Sequence, residues 1–230
     1  MKKVIGILGG MGPAATADML QKFIRFTPAR CDQEHIPLLI SSIPDIPDRT
    51  AALLHGGESP EPLMLKYIQG LERAGADCIL IACNTAHYWF SRLQQQCHTK
   101  MLSMIEATVA EAAASSTKNI GLLATDATLA TRLYQDALEA RGLNCIVPDK
   151  ASQQEVMKSI YLLKAGQEQE AEALMLAQKE ALIGKGAEIM ILGCTEIPVI
   201  LQKDQQNRPH LYVDSTSALV RAAIQWYRQA

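Results

Sequence analysis

Short, continuous apolar runs alternate with stretches of helical period along this chain, and the alternation happens twice. Residues 5–16, IGILGGMGPAAT, run apolar, turn through small residues and enter a helical pattern. Residues 120–131, IGLLATDATLAT, align with them without gaps. Later in each half, residues 75–85, GADCILIACNT, align in the same way with residues 186–196, GAEIMILGCTE. Between these anchors the pattern predicts helices at 14–27, 60–74, 88–97, 104–115, 126–141, 152–164, 168–184 and 216–228. Further strands are expected at 36–42, 101–103, 143–147 and 210–213. Unbroken apolar runs, rather than alternating ones, belong to parallel strands covered on both faces. The expectation is therefore an α/β protein of two pseudo-symmetric, duplicated lobes, each a small parallel sheet flanked by helices. The N-terminal lobe is placed at residues 1–98 plus 211–230 and the C-terminal lobe at 99–210. Ligands in such sheets bind beyond the carboxyl ends of the strands, which puts the site in the cleft between the lobes.

Composition changes this picture little but excludes several functions. The 230 residues are 48% apolar and 20% charged, with a net charge of −2. That balance supports a sizeable core and gives no electrostatic footing for nucleic acid or an anionic membrane. No apolar run reaches 18 residues. The opening MKKVIGILGG is basic and then apolar, but Gly-Gly-Met-Gly-Pro interrupts it, so it reads as a first strand of a cytoplasmic protein rather than a signal peptide. The six cysteines (31, 78, 83, 97, 145 and 194) show no CxxC spacing. In a cytoplasmic chain each is by default a small buried hydrophobe.

Two features stand out from that background. Gly10-Met11-Gly12-Pro13-Ala14-Ala15 satisfies G-x-G-x-x-A between a strand and a helix, but the next strand, HIPLLISS, ends in serines. It lacks the acid that a dinucleotide ribose needs. What survives is generic, a set of backbone N–H groups at a helix start able to hold a small anion. The second feature is the repeated cysteine. Cys83 precedes Asn84 and Thr85, and Cys194 precedes Thr195 and Glu196, each pair at an expected helix start. A helix N-terminus lowers a thiol's pKa, and Asn and Thr supply caps and hydrogen-bond donors for a carboxylate. One such thiol suggests a nucleophile. Two, set across a cleft by duplication, suit 1,1-proton transfer at a stereocentre: a thiolate removes the α-proton while a thiol delivers one to the opposite face. A zinc site using Cys83, His87 and Cys194 lacks a fourth ligand at suggestive spacing. A redox disulfide would need the two cysteines in contact, which a substrate between them forbids. His87 reads as a structural residue flanking the pocket.

At these residues the sequence resembles the cofactor-independent aspartate/glutamate racemase family, and within it most closely the aspartate racemases. GILGGMGPAAT, IPDRT, CNTAH, SMIE, GLLAT, IYLLKAG and GCTE occur in the family's order and span nearly the whole chain. The resemblance implies that Cys83 and Cys194 are the two acid/base residues, with neither pyridoxal phosphate nor metal, in a homodimer. It implies that Asn84, Thr85, Thr125 and Thr195 bind the substrate's α-carboxylate and α-amino group. It also implies that Arg49 (in IPDRT) and Lys164 (in YLLKAG) hold a side-chain carboxylate. Read without the family, Arg49 could instead pair with Asp45 or Asp48, and Lys164 could be an exposed helix end. Met11 at the loop tip either touches substrate or packs. Asp126 in ATDAT departs from the small or hydroxylated residue expected there. The expected activity is interconversion of L- and D-aspartate. The alternatives are a glutamate or broad-specificity amino-acid racemase, an isomerase of a small diacid, a non-catalytic binder of acidic metabolites, and an oligomeric structural protein.

Overall fold

A computed structural model describes residues 2–229. The first part of the chain runs β1 (Ile5–Gly9), α1 (Pro13–Phe26), β2 (Leu38–Ser42), α2 (Arg49–Leu54), α3 (Glu61–Arg73), β3 (Cys78–Ile81), α4 (Phe90–Gln95), β4 (Lys100–Leu102) and α5 (Met104–Ala113). The second part runs β5 (Asn119–Ala124), α6 (Asp126–Ala130), α7 (Leu133–Glu139), β6 (Asn144–Ile146), α8 (Lys150–Lys164) and α9 (Glu168–Gly184). It ends with β7 (Ile189–Gly193), α10 (Ile197–Ile200), α11 (Gln202–Asn207), β8 (Tyr212–Asp214) and α12 (Ser215–Arg228).

Two four-stranded parallel sheets result, ordered β2-β1-β3-β4 and β6-β5-β7-β8. Counted from each sheet's own first strand the two orders are identical, so the repeat read in the sequence is a repeat of topology. The continuous apolar runs are the central strands. β1 and β7 are buried at all five positions and β3 at all four, because helices cover both faces of a parallel sheet.

The lobe boundaries need correcting at two short strands. β4, assigned above to the C-terminal lobe, pairs with β3 through Ile79 opposite Met101. β8, assigned to the N-terminal lobe, pairs with β7 through Ile191 opposite Val213. Val213 is buried among Ile189, Ile191 and Leu122, a core of the second sheet. The chain then crosses back. Leu219, Val220, Ala223 and Ile224 of α12 pack against Ile5, Ile7, Met19 and Phe23 of the first sheet's core. α5 does the converse, placing Val109 and Ala112 against Ile120 and Leu122. Arg221 of α12 joins Glu111 of α5 at 2.6 Å. This α5–α12 seam joins the two lobes.

The helix expected at 126–141 is broken at Arg132, a non-glycine residue in the left-handed region (φ 54°). The helix expected at 88–97 begins as a 3₁₀ turn, Thr85–Trp89, before α4. α2 and α11 were not expected, and the helix start expected after Cys194 leads only into the four-residue α10.

The loop after β1 depends on one glycine. Gly10 has φ +89°, and a Cβ there would lie 2.2 Å from the backbone N of Ile43. That backbone is fixed in turn by Ile43 N–H donating to Gly9 O at 3.1 Å. Gly10→Ala combines a strained φ with a clash against immovable main chain. It should therefore destabilise the protein by about 3 kcal/mol or more, read as a lowered urea midpoint. A loss below about 1 kcal/mol would show that the loop can relax.

Candidate active site

Strand polarity brings four loops to one place: those after β1, β3, β5 and β7. All nine residues singled out in the sequence line one cavity there: Met11, Arg49, Cys83, Asn84, Thr85, Thr125, Lys164, Cys194 and Thr195. This inner chamber encloses only about 20 Å³. Through Met11, Arg49, Lys164 and Glu196 it adjoins an outer chamber of about 560 Å³. Room for one water is not room for an amino acid, so the walls must part to admit one.

The two cysteines are free thiols with equal exposure, 5% each. Cys83 packs in a core cluster of the first lobe and Cys194 in one of the second. The expectation that helix N-termini lower both pKa values fails at Cys194. Only a four-residue helix, α10, follows it, too short for a useful dipole. Burial pushes the Cys194 thiol well above its ordinary value, and the Glu196 carboxylate adds to the rise. Cys194 Sγ donates to Glu196 Oε2 at 3.0 Å.

Glu196 is the site residue the sequence analysis missed. It is buried, and its other oxygen accepts the Gly12 N–H at 3.0 Å. The small-anion site read into the glycine loop is therefore filled by the protein's own carboxylate, reaching across from the second lobe. The available signal was an acidic residue at the end of GCTE, which could equally have been an ordinary helix-start acid.

Arg49 starts α2. Its Nη1 donates to Ile46 O and Pro47 O, and its Nη2 to Met11 O, all at 3.1 Å. Its Nε is buried without a partner. Neither Asp45 nor Asp48 pairs with it; Asp48 caps α2 by accepting the Ala51 N–H at 2.8 Å. Arg49 is only 9% exposed and has no counter-ion among the described residues, an arrangement that favours an incoming anion. Lys164, at the exposed end of α8, sits over the Tyr161 ring at 5.8 Å and also forms no ion pair among the described residues.

The hydroxyls form a triangle across the cleft. Thr85 Oγ1 is 2.9 Å from Thr125 Oγ1 and 3.0 Å from Thr128 Oγ1, and the latter two are 3.0 Å apart. Thr128 was not anticipated. Thr195, almost fully buried, donates to Glu196 Oε2 at 3.4 Å. Asp126, the residue that looked out of pattern, is held by Gln153 Nε2 at 2.8 Å and does not line the cavity.

Asn84 lines the cavity, yet its side chain is largely engaged behind it. Tyr134 OH donates to its Oδ1, and its Nδ2 donates to Ser215 Oγ at 3.0 Å. One amide hydrogen remains for a substrate. His87 is fully committed: its Nε2 accepts the Met104 N–H at 2.9 Å, so its Nδ1–H donates to Cys83 O at 2.8 Å. Burial drops its pKa to about 4, keeping it neutral, and neither ring nitrogen is left for zinc. Among the described residues no group of three or more His, Cys, Asp or Glu is placed to hold a metal ion. Met11 packs in the first lobe's core and also lines the cavity.

A family model described as Asp/Glu/hydantoin racemase matches residues 8–223. Among solved structures, the aspartate racemase of Picrophilus torridus superposes with a TM-score of 0.86 at 35% identity, covering 98% of this chain and 94% of that one. A broad-specificity amino-acid racemase of Bacillus subtilis is 29% identical over 229 residues, 97% of this chain and 98% of its own length. A glutamate racemase of Desulforudis audaxviator is 33% identical over 183 residues, 76% of this chain and 66% of its own.

Proposed function

This chain belongs to the Asp/Glu/hydantoin racemase family and is an amino-acid racemase, and we propose that it interconverts L- and D-aspartate through Cys83 and Cys194. The observation that carries the reading is the composition of the cleft: two free thiols at equivalent strand ends of a repeated fold, beside a buried arginine with no counter-ion among the described residues. The α-carbon lies between the sulfurs. One thiolate takes the α-proton, and the electron pair of the broken C–H bond moves toward the α-carboxylate. The other thiol then forms a new C–H bond on the opposite face, leaving its sulfur as the thiolate. Thr85, Thr125, Thr195 and the free Asn84 hydrogen hold the α-carboxylate and α-amino group. Arg49 and Lys164 take the side-chain carboxylate, and Met11 closes the wall beside it. No pyridoxal phosphate or metal takes part.

The relatives' names span aspartate, glutamate and broad specificity. Two cations without counter-ions among the described residues favour a diacid over a neutral amino acid, and the tight inner chamber favours the shorter one. The test is to follow L-aspartate, D-aspartate, L-glutamate and L-alanine by circular dichroism with reduced protein and no added cofactor. Decay of the signal to zero from both aspartate enantiomers, faster than for glutamate or alanine, is the expected result. Faster loss with glutamate would transfer the assignment, and a flat trace with all four would overturn it. The same reading has the enzyme working as a cytoplasmic homodimer, checked by light scattering. No described helix is long and apolar enough to cross a membrane.

A further inference from the structure

The two halves of the site differ in charge two residues past each cysteine. Two residues after Cys83 stands Thr85, a neutral hydroxyl; two residues after Cys194 stands Glu196. Glu196 Oε2 lies 3.0 Å from Cys194 Sγ, and its Oε1 is fixed by the Gly12 N–H at 3.0 Å. Among the described residues no carboxylate hydrogen-bonds to Cys83 Sγ. We propose that Glu196 is a positioning residue that holds the proton on Cys194 in the resting enzyme, so that the free enzyme waits with Cys83 as the thiolate and is poised for one enantiomer. This deepens the two-cysteine reading and rests on it.

The physical case is a comparison of charge states. With Cys194 as thiol, its S–H donates to a carboxylate oxygen while the other oxygen of that carboxylate accepts a backbone N–H. With Cys194 as thiolate, two anions stand 3.0 Å apart in a buried space, where such repulsion is poorly screened. The other charged or titratable groups lining the cavity are Asp48, which caps α2, Arg49 at its first position, Lys164 from α8 and Cys83 itself, with Tyr134 of α7 behind. Lys164 opposes the rise at Cys194, but burial and Glu196 outweigh it.

The proton inventory follows. From the resting form, Cys83 thiolate takes the α-proton and Cys194 thiol gives up its own, ending as a thiolate beside Glu196. Exchange with water then restores Cys194 as thiol and Cys83 as thiolate. The other enantiomer must meet the minor form, with Cys194 deprotonated. Because the enantiomers have equal free energy in water, kcat/KM is the same in both directions. The asymmetry therefore appears as a split: the enantiomer that meets the resting form has the lower KM and the lower kcat, since apparent affinity scales with the fraction of competent enzyme.

The test reads the thiols directly, by alkylation with iodoacetamide across pH and mass spectrometry of the Cys83 and Cys194 peptides. The two residues are equally exposed, 5% each, and the order is read from the pH midpoint of each alkylation curve rather than from its rate, so a difference in access does not set it. In the unmodified protein Cys83 should react with a midpoint below that of Cys194 by about one pH unit or more; the reverse order overturns the proposal, and no variant has to fold for that. In Glu196→Gln the Cys194 midpoint should fall by a similar amount, whereas Glu196→Asp should keep much of the elevation. The alkaline limb of kcat/KM should move to lower pH in Glu196→Gln with the acid limb unmoved, and the KM split between enantiomers should narrow toward one. A uniform loss of kcat with an unmoved Cys194 midpoint would leave Glu196 a merely structural residue and refute the inference. Because alkylation does not depend on turnover, that failure is distinct from failure of the two-cysteine reading, which normal racemisation by Cys83→Ala would signal.

Discussion

Cys83→Ala and Cys194→Ala should each lose racemisation of aspartate by on the order of 10³-fold or more, while keeping opposite halves of the chemistry. In Cys194→Ala the remaining Cys83 can still remove the α-proton of the enantiomer it faces. Its new thiol proton exchanges with solvent, and a solvent proton returns to the same face. In D₂O that enantiomer should gain α-deuterium without inversion, visible by NMR as loss of the α-proton signal at constant optical rotation. Cys83→Ala should do the same for the other enantiomer only. The mirrored pattern is specific to two opposed bases; a single base with a water donor would give exchange of both enantiomers or of neither. Both sulfurs sit in core clusters, so each variant also loses some stability. Thermal melts, and Cys→Ser as a smaller change in volume, separate that loss from lost chemistry. Undiminished racemisation by either variant, or exchange of the same enantiomer by both, would sink the two-base mechanism.

What made the paired cysteines legible was repetition. β1, β3, β5 and β7 are unbroken apolar runs, and their carboxyl ends carry the loops of the cleft, so strand polarity alone brought nine named residues to one cavity. Where less was legible, the reason is physical. α2, α10 and α11 have six, four and six residues, under two turns, and no helical period can be read over so short a span. β4 and β8 have three residues each; which sheet they join depends on partners far away in sequence. Arg132 breaks a helix in the left-handed region without the glycine or proline that usually announces a break. Glu196 acquires its place from the N–H of Gly12, 184 residues earlier, a contact that no local pattern encodes. The thiol expectation failed at Cys194 for the same reason: the helix that follows is a single turn, and burial and a neighbouring carboxylate decide instead.

Arg49 is where substrate choice should be decided. Its guanidinium is held by three backbone carbonyls, from Ile46, Pro47 and Met11, and these neutral acceptors position the charge without cancelling it. A side-chain carboxylate arriving there would supply the missing counter-ion in a poorly hydrated space, where a charge-assisted hydrogen bond counts for more than in water. Arg49→Gln should therefore lower kcat/KM for aspartate by roughly 30- to 150-fold, or about 2–3 kcal/mol. Arg49→Lys should recover only part, because a lysine keeps the charge but loses the planar fork and most of the carbonyl bonds. Either change also disturbs the loop around Met11, which would slow every substrate alike. The informative quantity is thus the ratio of kcat/KM for aspartate to that for alanine, from which a general loop defect cancels. That ratio should fall by most of the stated factor. Lys164→Ala should lower it less, because an exposed lysine at a helix end is already hydrated and gives up less when its partner is removed. Equal losses for aspartate and alanine in Arg49→Gln would mean that the buried charge props the loop rather than reads the substrate, and the diacid assignment would fall with it.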